Sequence, residues 1–333
     1  MEIRAILFGI GVMGGEIARI ISKKKRLKIV GAIDIAKDKV GKDLGEVLGL
    51  DKLGVLVTDD PDDLFSEVNG DIVVHATSSS LRQVYPQIAR CVSAGMNVVS
   101  TCEELSYPYR KYPELANEID ALAKKNGVTV LGTGVNPGFL MDTLPIVLTG
   151  PCQAVSKIKV TRMMDAAKRR IPYQKKVGVG LAKEEFERMI GEKIITGHVG
   201  LFESIAMIAE AVGFELDVIK ELPPEPVITA SEVKTPYTTV KPGQVAGLKS
   251  MAYGIRGEEK VITLEFISYA GAKEEYDAIS IEGIPNIRER IEGGVHGDIG
   301  TVAMIVNSIP KVVDAKPGLV TMKDIAVPSV MST

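Results

Sequence analysis

Tryptophan is absent from this chain of 333 residues, and only 7 Phe and 9 Tyr stand in it. So thin an aromatic supply argues against a stacking surface for bases or sugars. Cysteine is equally scarce: Cys91, Cys102 and Cys152 show no C-x-x-C spacing. An odd, sparse set of thiols builds neither a disulfide framework nor a zinc site, so no metal is expected and a reducing, cytoplasmic compartment is the simplest setting. Charge of one sign is also missing. A net charge of −3 gives no basic field to attract nucleic acid or an anionic membrane. No apolar run approaches the ~20 residues that span a bilayer. The N-terminus leads straight into an apolar strand rather than a signal-peptide pattern.

What is present is an ordinary globular composition, 45% hydrophobic and 25% charged, on a chain long enough for two domains. Up to about residue 150, short apolar runs alternate with amphipathic segments. The strands expected are Ile3–Phe8, Lys28–Ile33, Val55–Val57, Ile72–His75, Asn97–Ser100 and Val128–Leu131. The helices expected include Gly14–Ser22, Leu81–Ala94 and Tyr112–Lys125. This alternation predicts βαβ units in an α/β fold, a Rossmann-type doubly wound parallel sheet covered on both faces. The pattern changes after Pro151. Helical stretches at Lys183–Gly191 and Gly200–Val212 precede strand-like runs at Leu248–Ile255, Val261–Ser268 and Ala278–Ile281, and Leu222–Pro226 reads as a loop. A second α+β domain with a mixed or antiparallel sheet is expected over 151–297. A C-terminal segment, 298–333, is expected to pack back on the first domain.

Gly9-Ile-Gly11-Val-Met-Gly14 matches G-x-G-x-x-G between a strand and a helix. Gly9 permits the tight turn, Gly11 lets backbone approach a pyrophosphate, and Gly14 allows close helix–strand packing. The amides of Gly11, Val12 and Met13 at the helix start favour negative charge. Asp34 closes the second strand, where a carboxylate accepts from the adenosine ribose. That favours NAD, but Lys37 and Lys39 lie close enough to offset repulsion of a 2′-phosphate and leave NADP open. Thr77, Ser78 and Ser79, after the fourth strand, are placed to line the ribose and nicotinamide, and Thr101 after the fifth. Ser79 or Ser80 would also cap the helix that follows. His75 has no evident ligand partner and is assigned a structural role.

The next feature is Ser100-Thr-Cys-Glu-Glu-Leu-Ser-Tyr-Pro108, which sets Glu103 and Glu104 directly after a short apolar strand. Strand ends of this fold face the cofactor, which takes a hydride from carbon while the protein manages protons. An aliphatic ammonium, pKa ~10.4, has no lone pair to expel a hydride. A carboxylate there binds the cation, removes its proton and then activates water. Desolvation is expected to raise that carboxyl's pKa toward the working range. Two adjacent residues do not present both side chains to one point. For either, the competing role is an acidic cap on the following turn.

With Gly132-Thr-Gly-Val-Asn-Pro-Gly-Phe139, Thr161-Arg-Met163 and Gly197-His-Val-Gly200 added to these two motifs, the chain resembles, nearly end to end, the 2,4-diaminopentanoate dehydrogenase and native amine dehydrogenase family. The resemblance implies NAD(P)-dependent oxidative deamination of a 2,4-diamino acid at C4, giving 2-amino-4-oxopentanoate and ammonia, within ornithine degradation. It implies a catalytic glutamate after the fifth strand, matched here to Glu104. Related alcohol-oxidising families carry a lysine near that place. The wider architecture is similar to dihydrodipicolinate reductase, through Gly31-Ala-Ile-Asp34, Val306-Asn-Ser-Ile-Pro310 and Pro317-Gly-Leu319. The reductase's paired histidines and its Lys-Asp-Ala-Pro-Ser-Gly-Thr signature are missing, and Arg162-Met-Met-Asp-Ala-Ala-Lys168 stands in the comparable region.

For the substrate carboxylate, Arg162 at the end of an expected strand Val155–Thr161 offers a bidentate grip, or else a surface ion pair. His198 would bond substrate or cap the helix near Gly200. Asn136 would orient the nicotinamide or the amine, or cap a helix whose first turn holds Pro137. The resemblance draws Arg162 and His198 to the substrate. Tyr173 and His296 read first as packing and structural residues. The alternatives carried forward are an imine or oxo-acid reductase and a non-enzymatic dinucleotide sensor. A homodimer joined through the second domain's sheet is expected by analogy.

Overall fold

The computed structural model describes residues 2–332. The chain forms two compact units, Met1–Phe139 with Gly297–Thr333, and Leu140–His296.

The first unit opens with β1 (Ile3–Phe8), α1 (Val12–Ile21) and β2 (Leu27–Ile33), followed by the short α2 (Leu44–Leu48) and β3 (Val57–Thr58). Then come α3 (Pro61–Glu67), β4 (Ile72–His75), α4 (Leu81–Ser93), β5 (Asn97–Ser100), a 3₁₀ turn at Glu103–Leu105, α5 (Pro113–Asn126) and β6 (Thr129–Gly132). Local chemistry sets the helix ends. Asp60 accepts from the Asp62 and Asp63 N–H groups, with Pro61 in the first turn of α3. α5 starts on Pro113 and stops at Gly127, whose φ of 68° is the left-handed cap that glycine adopts without strain. α4 buries Leu81, Val84, Ile88, Cys91 and Val92, one helical face, against the sheet.

The second unit runs α6 (Thr143–Leu148), β7 (Ala154–Asp165), α7 (Ile171–Lys176), α8 (Lys183–Gly191) and α9 (Leu201–Val212). Its strands continue as β8 (Val218–Glu221), β9 (Glu225–Ile228), β10 (Val233–Lys234), β11 (Thr239–Val240), β12 (Val245–Arg256), β13 (Glu259–Tyr269), β14 (Tyr276–Ile284) and β15 (Ile287–Glu292). The chain then returns to the first unit as α10 (Gly297–Val313) and β16 (Gly318–Val320).

In the first unit the order β16-β6-β5-β4-β1-β2-β3 is parallel throughout, the doubly wound arrangement. Four residues in register line up at the strand ends: Phe8 beside His75, His75 beside Ser100, and Ser100 beside Gly132. The second sheet, β15-β14-β7-β13-β12-β8, is mixed: β13 and β7 run parallel and the other pairs antiparallel.

Element ends shift by a few residues at several places, and three of the differences from the sequence expectation bear on the site or its support. The first stretch of unit one stops at Phe139, not 150, because α6 belongs with α9, and buried Asp142 accepts from the Ser204 hydroxyl of α9 at 2.8 Å. The strand expected to stop at Thr161 runs on to Asp165, so Arg162 sits inside it. Part of the expected loop Leu222–Pro226 is the strand β9, paired to β12. Pro226 is tolerated because β9 lies at an edge, where a missing N–H costs no ladder bond.

Candidate active site

The glycine cradle has the geometry its three glycines predict. Gly9 has φ +94°, and a Cβ there would stand 2.5 Å from the Ala76 carbonyl oxygen. A Cβ on Gly14 would stand 1.9 Å from the Gly9 carbonyl oxygen, whereas one on Gly11 would meet nothing within 4 Å. The first two positions are closed by protein, and the third is the open approach a pyrophosphate requires. No side chain caps α1 and none of its first-turn residues is acidic, so its amides at Val12 and Met13 suit an anion.

Asp34 lies beside this cradle and is already at work. One oxygen accepts the Ile10 N–H at 2.7 Å, and the other accepts the Ala36 N–H at 2.9 Å. Lys39 reaches back to the same carboxylate at 3.1 Å and to the Ile10 carbonyl at 2.9 Å. Burial pushes the Asp34 carboxyl up, but the two backbone donors and Lys39 outweigh it and hold the pKa below the usual range. The oxygen that accepts Ala36 keeps a lone pair for a ribose hydroxyl, whereas the other is shared by Ile10 and Lys39. Lys37 is exposed.

Beyond β4, Thr77 is exposed, and Ser78, Ser79 and Ser80 are half-buried. Ser80 occupies the cap position of α4 without a side-chain bond to the helix. Glu104 supplies that bond from a different loop: its carboxylate accepts the Leu81 N–H at 2.8 Å. Its second oxygen accepts from Tyr112 Oη at 2.9 Å and pairs with Lys111 Nζ at 3.0 Å. Burial drives the Glu104 carboxyl up, but Lys111, Leu81 and Tyr112 together bring it below the ordinary value. This corrects the expectation of a raised pKa, because the donors around the carboxylate stabilise its charged form more than burial penalises it.

The 3₁₀ turn explains why the two glutamates part. With three residues per turn, successive side chains diverge by about 120°. Glu104 points into the buried side toward α4, and Glu103 is half-buried on another side. The turn fits against β6 only because Gly132 has no Cβ, which would stand 2.5 Å from the Leu105 carbonyl carbon. Thr101 is half-buried and Cys102 buried at the root of the same turn.

In the second unit, Ser250, Phe266, Arg162 and Asp277 form one row across β12, β13, β7 and β14. Arg162 is 1% exposed. It donates to Asp277 at 2.9 Å and to the Val295 carbonyl at 2.5 Å. Asp277 in turn accepts the Val295 N–H at 2.8 Å. The His198 N–H donates to Ser250 Oγ at 3.3 Å, and the His198 ring stacks on Phe266, 4.2 Å between centroids and 6° from parallel. The fold thus brings two expected substrate residues, Arg162 and His198, to one row. Burial, with the charges of Lys176 and Arg162, lowers the His198 pKa to about 3, so the ring is neutral near pH 7. Tyr173 joins the same sheet through Ser268 at 2.9 Å, beneath the Arg169 guanidinium. His296 is exposed.

Asn136 caps no helix. It precedes a cis peptide bond to Pro137, the chain continues through turns, and the next helix starts at Thr143 under Asp142. Sequence reasoning missed Lys111, Tyr112 and Asp277 altogether. None carries a motif, and each acts through a contact made only by the fold.

Comparison with known proteins divides the chain near Phe139, with the C-terminal match running on through the segment that returns to the first unit. Residues 139–333 match the family model of the 2,4-diaminopentanoate dehydrogenase C-terminal domain, and residues 3–130 match that of the dihydrodipicolinate reductase N-terminus. The chain is 37% identical to a 2,4-diaminopentanoate dehydrogenase of Acetoanaerobium sticklandii, over 98% of this chain and 94% of the relative. It is 26% identical to an amine dehydrogenase of Streptomyces virginiae, over 97% and 96% of the two chains. The solved amine dehydrogenase of Mycobacterium smegmatis superimposes with a TM-score of 0.84 at 27% identity, covering 98% and 96%.

Proposed function

The chain belongs to the 2,4-diaminopentanoate dehydrogenase family, and as an NAD(P)-dependent amine dehydrogenase of that family, we propose, it deaminates 2,4-diaminopentanoate at C4. The products are 2-amino-4-oxopentanoate and ammonia, in ornithine degradation. The observation that supports this reading best is the carboxylate pair on the turn after β5, at the carboxyl end of a doubly wound sheet. Bound NAD(P)⁺ supplies the hydride acceptor. The cradle of Gly9, Gly11 and Gly14, the amides of Val12 and Met13, Asp34 and the Thr77–Ser79 loop would hold it, with Thr101 at the nicotinamide side.

Glu103, rather than Glu104, is the base in this reading. The Glu104 carboxylate is engaged by Leu81, Tyr112 and Lys111 as the cap of α4. Glu103 takes a proton from the substrate ammonium, which frees the nitrogen lone pair to expel the C4 hydride. Once that proton has passed to solvent, Glu103 takes one from the water that adds to the resulting iminium and returns it to the nitrogen, and the tetrahedral carbon expels ammonia as its hydroxyl loses a proton to leave the ketone. For the substrate's carboxylate the proposed residues are Arg162, whose guanidinium keeps unspent N–H donors after Asp277 and Val295 are served, and neutral His198. Asn136 orients the amine or the nicotinamide.

The test is NAD(P)H formation with 2,4-diaminopentanoate, matched mole for mole by ammonia. Absence of turnover at every pH overturns the reading. Cofactor binding without turnover points to a sensor, and oxidation of NAD(P)H by a cyclic imine alone points to a reductase. Reductase likeness at the level of family models is confined to residues 3–130.

Cofactor choice turns on Lys39. Its ammonium already neutralises Asp34, so a 2′-phosphate meets a balanced pair rather than a bare carboxylate, and both NAD and NADP are accepted. Lys39→Ala is expected to weaken NADP⁺ binding roughly tenfold or more, the worth of a charge-assisted bond, with a smaller effect on NAD⁺. Fluorescence titration of NADPH and NADH reads the difference, and equal losses for both would rule this role out.

A homodimer completes the proposal. In the second sheet, α9 lies on the Gly254 face, where the absent Cβ makes room for Ile205. The opposite face carries the half-buried row Ile267, Met163 and Tyr276, apolar enough to meet a second copy. Sedimentation is expected at twice the chain mass, and Met163→Glu should shift it to the monomer. The setting is cytoplasmic in this reading: Cys91, Cys102 and Cys152 are all unpaired, and among the described residues no helix is long and apolar enough to cross a membrane.

A further inference from the structure

His75 is the last residue of β4, fully buried, with Phe8 edge-on to its ring at 5.5 Å. It is not isolated. Nδ1 lies 2.9 Å from Ser100 Oγ, and Nε2 lies 2.7 Å from Gln87 Oε1. Thr77 Oγ1 stands 3.0 Å from the same Nε2 and donates to Gln87 Oε1 at 2.7 Å. An amide oxygen only accepts, so Nε2 carries the proton and Nδ1 is bare. The Ser100 hydroxyl must then donate to Nδ1, which leaves its oxygen to accept the Cys102 N–H at 3.1 Å. Burial lowers the imidazole pKa to about 4, so the ring is neutral and this one tautomer persists.

Both ends of this chain of bonds reach the site. Ser100 and Cys102 are the root of the turn that carries Glu103. Thr77 opens the loop assigned to the cofactor. The two loops are laced further by Thr101 N–H to the His75 carbonyl at 3.0 Å and by Glu104 N–H to the Ser79 carbonyl at 3.3 Å. Cys102 Sγ also bonds the Ser79 carbonyl, at 3.2 Å, and Leu81 N–H bonds Glu104.

We propose that His75 is a positioning residue for the amine oxidation: it fixes the carboxylate turn through Ser100 and the cofactor loop through Thr77 and Gln87, so that base and nicotinamide keep one spacing. The proposal rests on the amine dehydrogenase reading above. A buried histidine that merely fills space would affect stability alone, whereas a positioning residue affects the rate of the folded enzyme.

The test compares His75→Leu, His75→Asn and Ser100→Ala with the wild type. Small displacements of reacting groups cost on the order of tenfold to a hundredfold in rate, so kcat of the Leu and Ala variants should fall by that factor. The amine KM should stay within about threefold, because substrate binding is not what was removed. His75→Asn places a polar atom near the former Nδ1 and should recover most of the rate. His75→Leu should also weaken NADH binding, read by fluorescence. Melting temperatures are taken on every variant. A lower melting temperature with unchanged kcat, or no recovery in the Asn variant, overturns the proposal. With only 3 His in the chain, imidazole ¹⁵N shifts give an independent reading. The Nε2–H tautomer, untitrated between about pH 5 and 8, is expected, and an Nδ1–H tautomer or a titrating ring overturns the network. If the wild type turns over no amine, the functional reading falls. The positioning role is then judged on NADH affinity and tautomer alone, and unchanged NADH binding in His75→Leu overturns it.

Discussion

Glu103→Gln is expected to cut kcat for amine oxidation by about 10²–10⁴-fold, the usual contribution of a positioned general base, while melting temperature and NADH affinity stay near those of the native protein. Glu104→Gln should behave in the opposite way. It removes the charge that caps α4 and pairs with Lys111, at a cost of about 0.5–2 kcal/mol, and leaves most of the turnover of the folded enzyme. The pH dependence separates the two further. The folded Glu104 pKa lies below its ordinary value, so its stabilisation is fully present above the unfolded value of ~4.3. It is lost as pH falls through the folded pKa. The gap in urea midpoint between native protein and Glu104→Gln should therefore be widest at neutral pH and close in acid. Full turnover in Glu103→Gln, with loss in Glu104→Gln at unchanged stability, would return the role of base to Glu104.

The contacts that hold Glu104 are not legible in the sequence, and the reason is physical. The cradle is legible because Gly9 and Gly14 answer backbone constraints that no other residue meets, while Gly11 leaves the approach open, and all three are local. The strands Ile72–His75 and Asn97–Ser100 are legible because buried parallel strands are short and apolar on both faces. Which of two adjacent glutamates caps α4 depends instead on Leu81, Lys111 and Tyr112, which reach one of them only after α4 and α5 have packed. The desolvation argument for a raised pKa was sound for a bare carboxylate and failed for one surrounded by donors. His75 follows the same pattern. It looked partnerless along the chain because Ser100 and Gln87 meet it across strands and from a helix. Arg162 and Asp277 lie 115 residues apart, beyond the reach of any periodicity.

That ion pair carries the second large effect. Asp277→Asn keeps the shape of the side chain but leaves the Arg162 guanidinium buried without a counter-charge. Breaking a buried pair in this way costs about 3–5 kcal/mol, and a large drop in melting temperature is expected. The loop at Val295 should loosen with it, since Asp277 holds the Val295 N–H and Arg162 holds its carbonyl. A lowered stability alone does not distinguish a structural pair from a substrate grip. The double variant Arg162→Met with Asp277→Leu does. Replacing both charges by apolar groups of similar volume is often neutral or stabilising, so stability should return most of the way. If Arg162 also holds the substrate carboxylate, KM for 2,4-diaminopentanoate stays raised by about 10–100-fold in the stable double variant, the worth of a lost charged hydrogen bond. Oxidation of a simple amine that lacks the carboxylate should change little. Recovery of both stability and KM in the double variant would confine Arg162 to the core. The substrate's carboxylate would then have to be held by His198 and the groups around it.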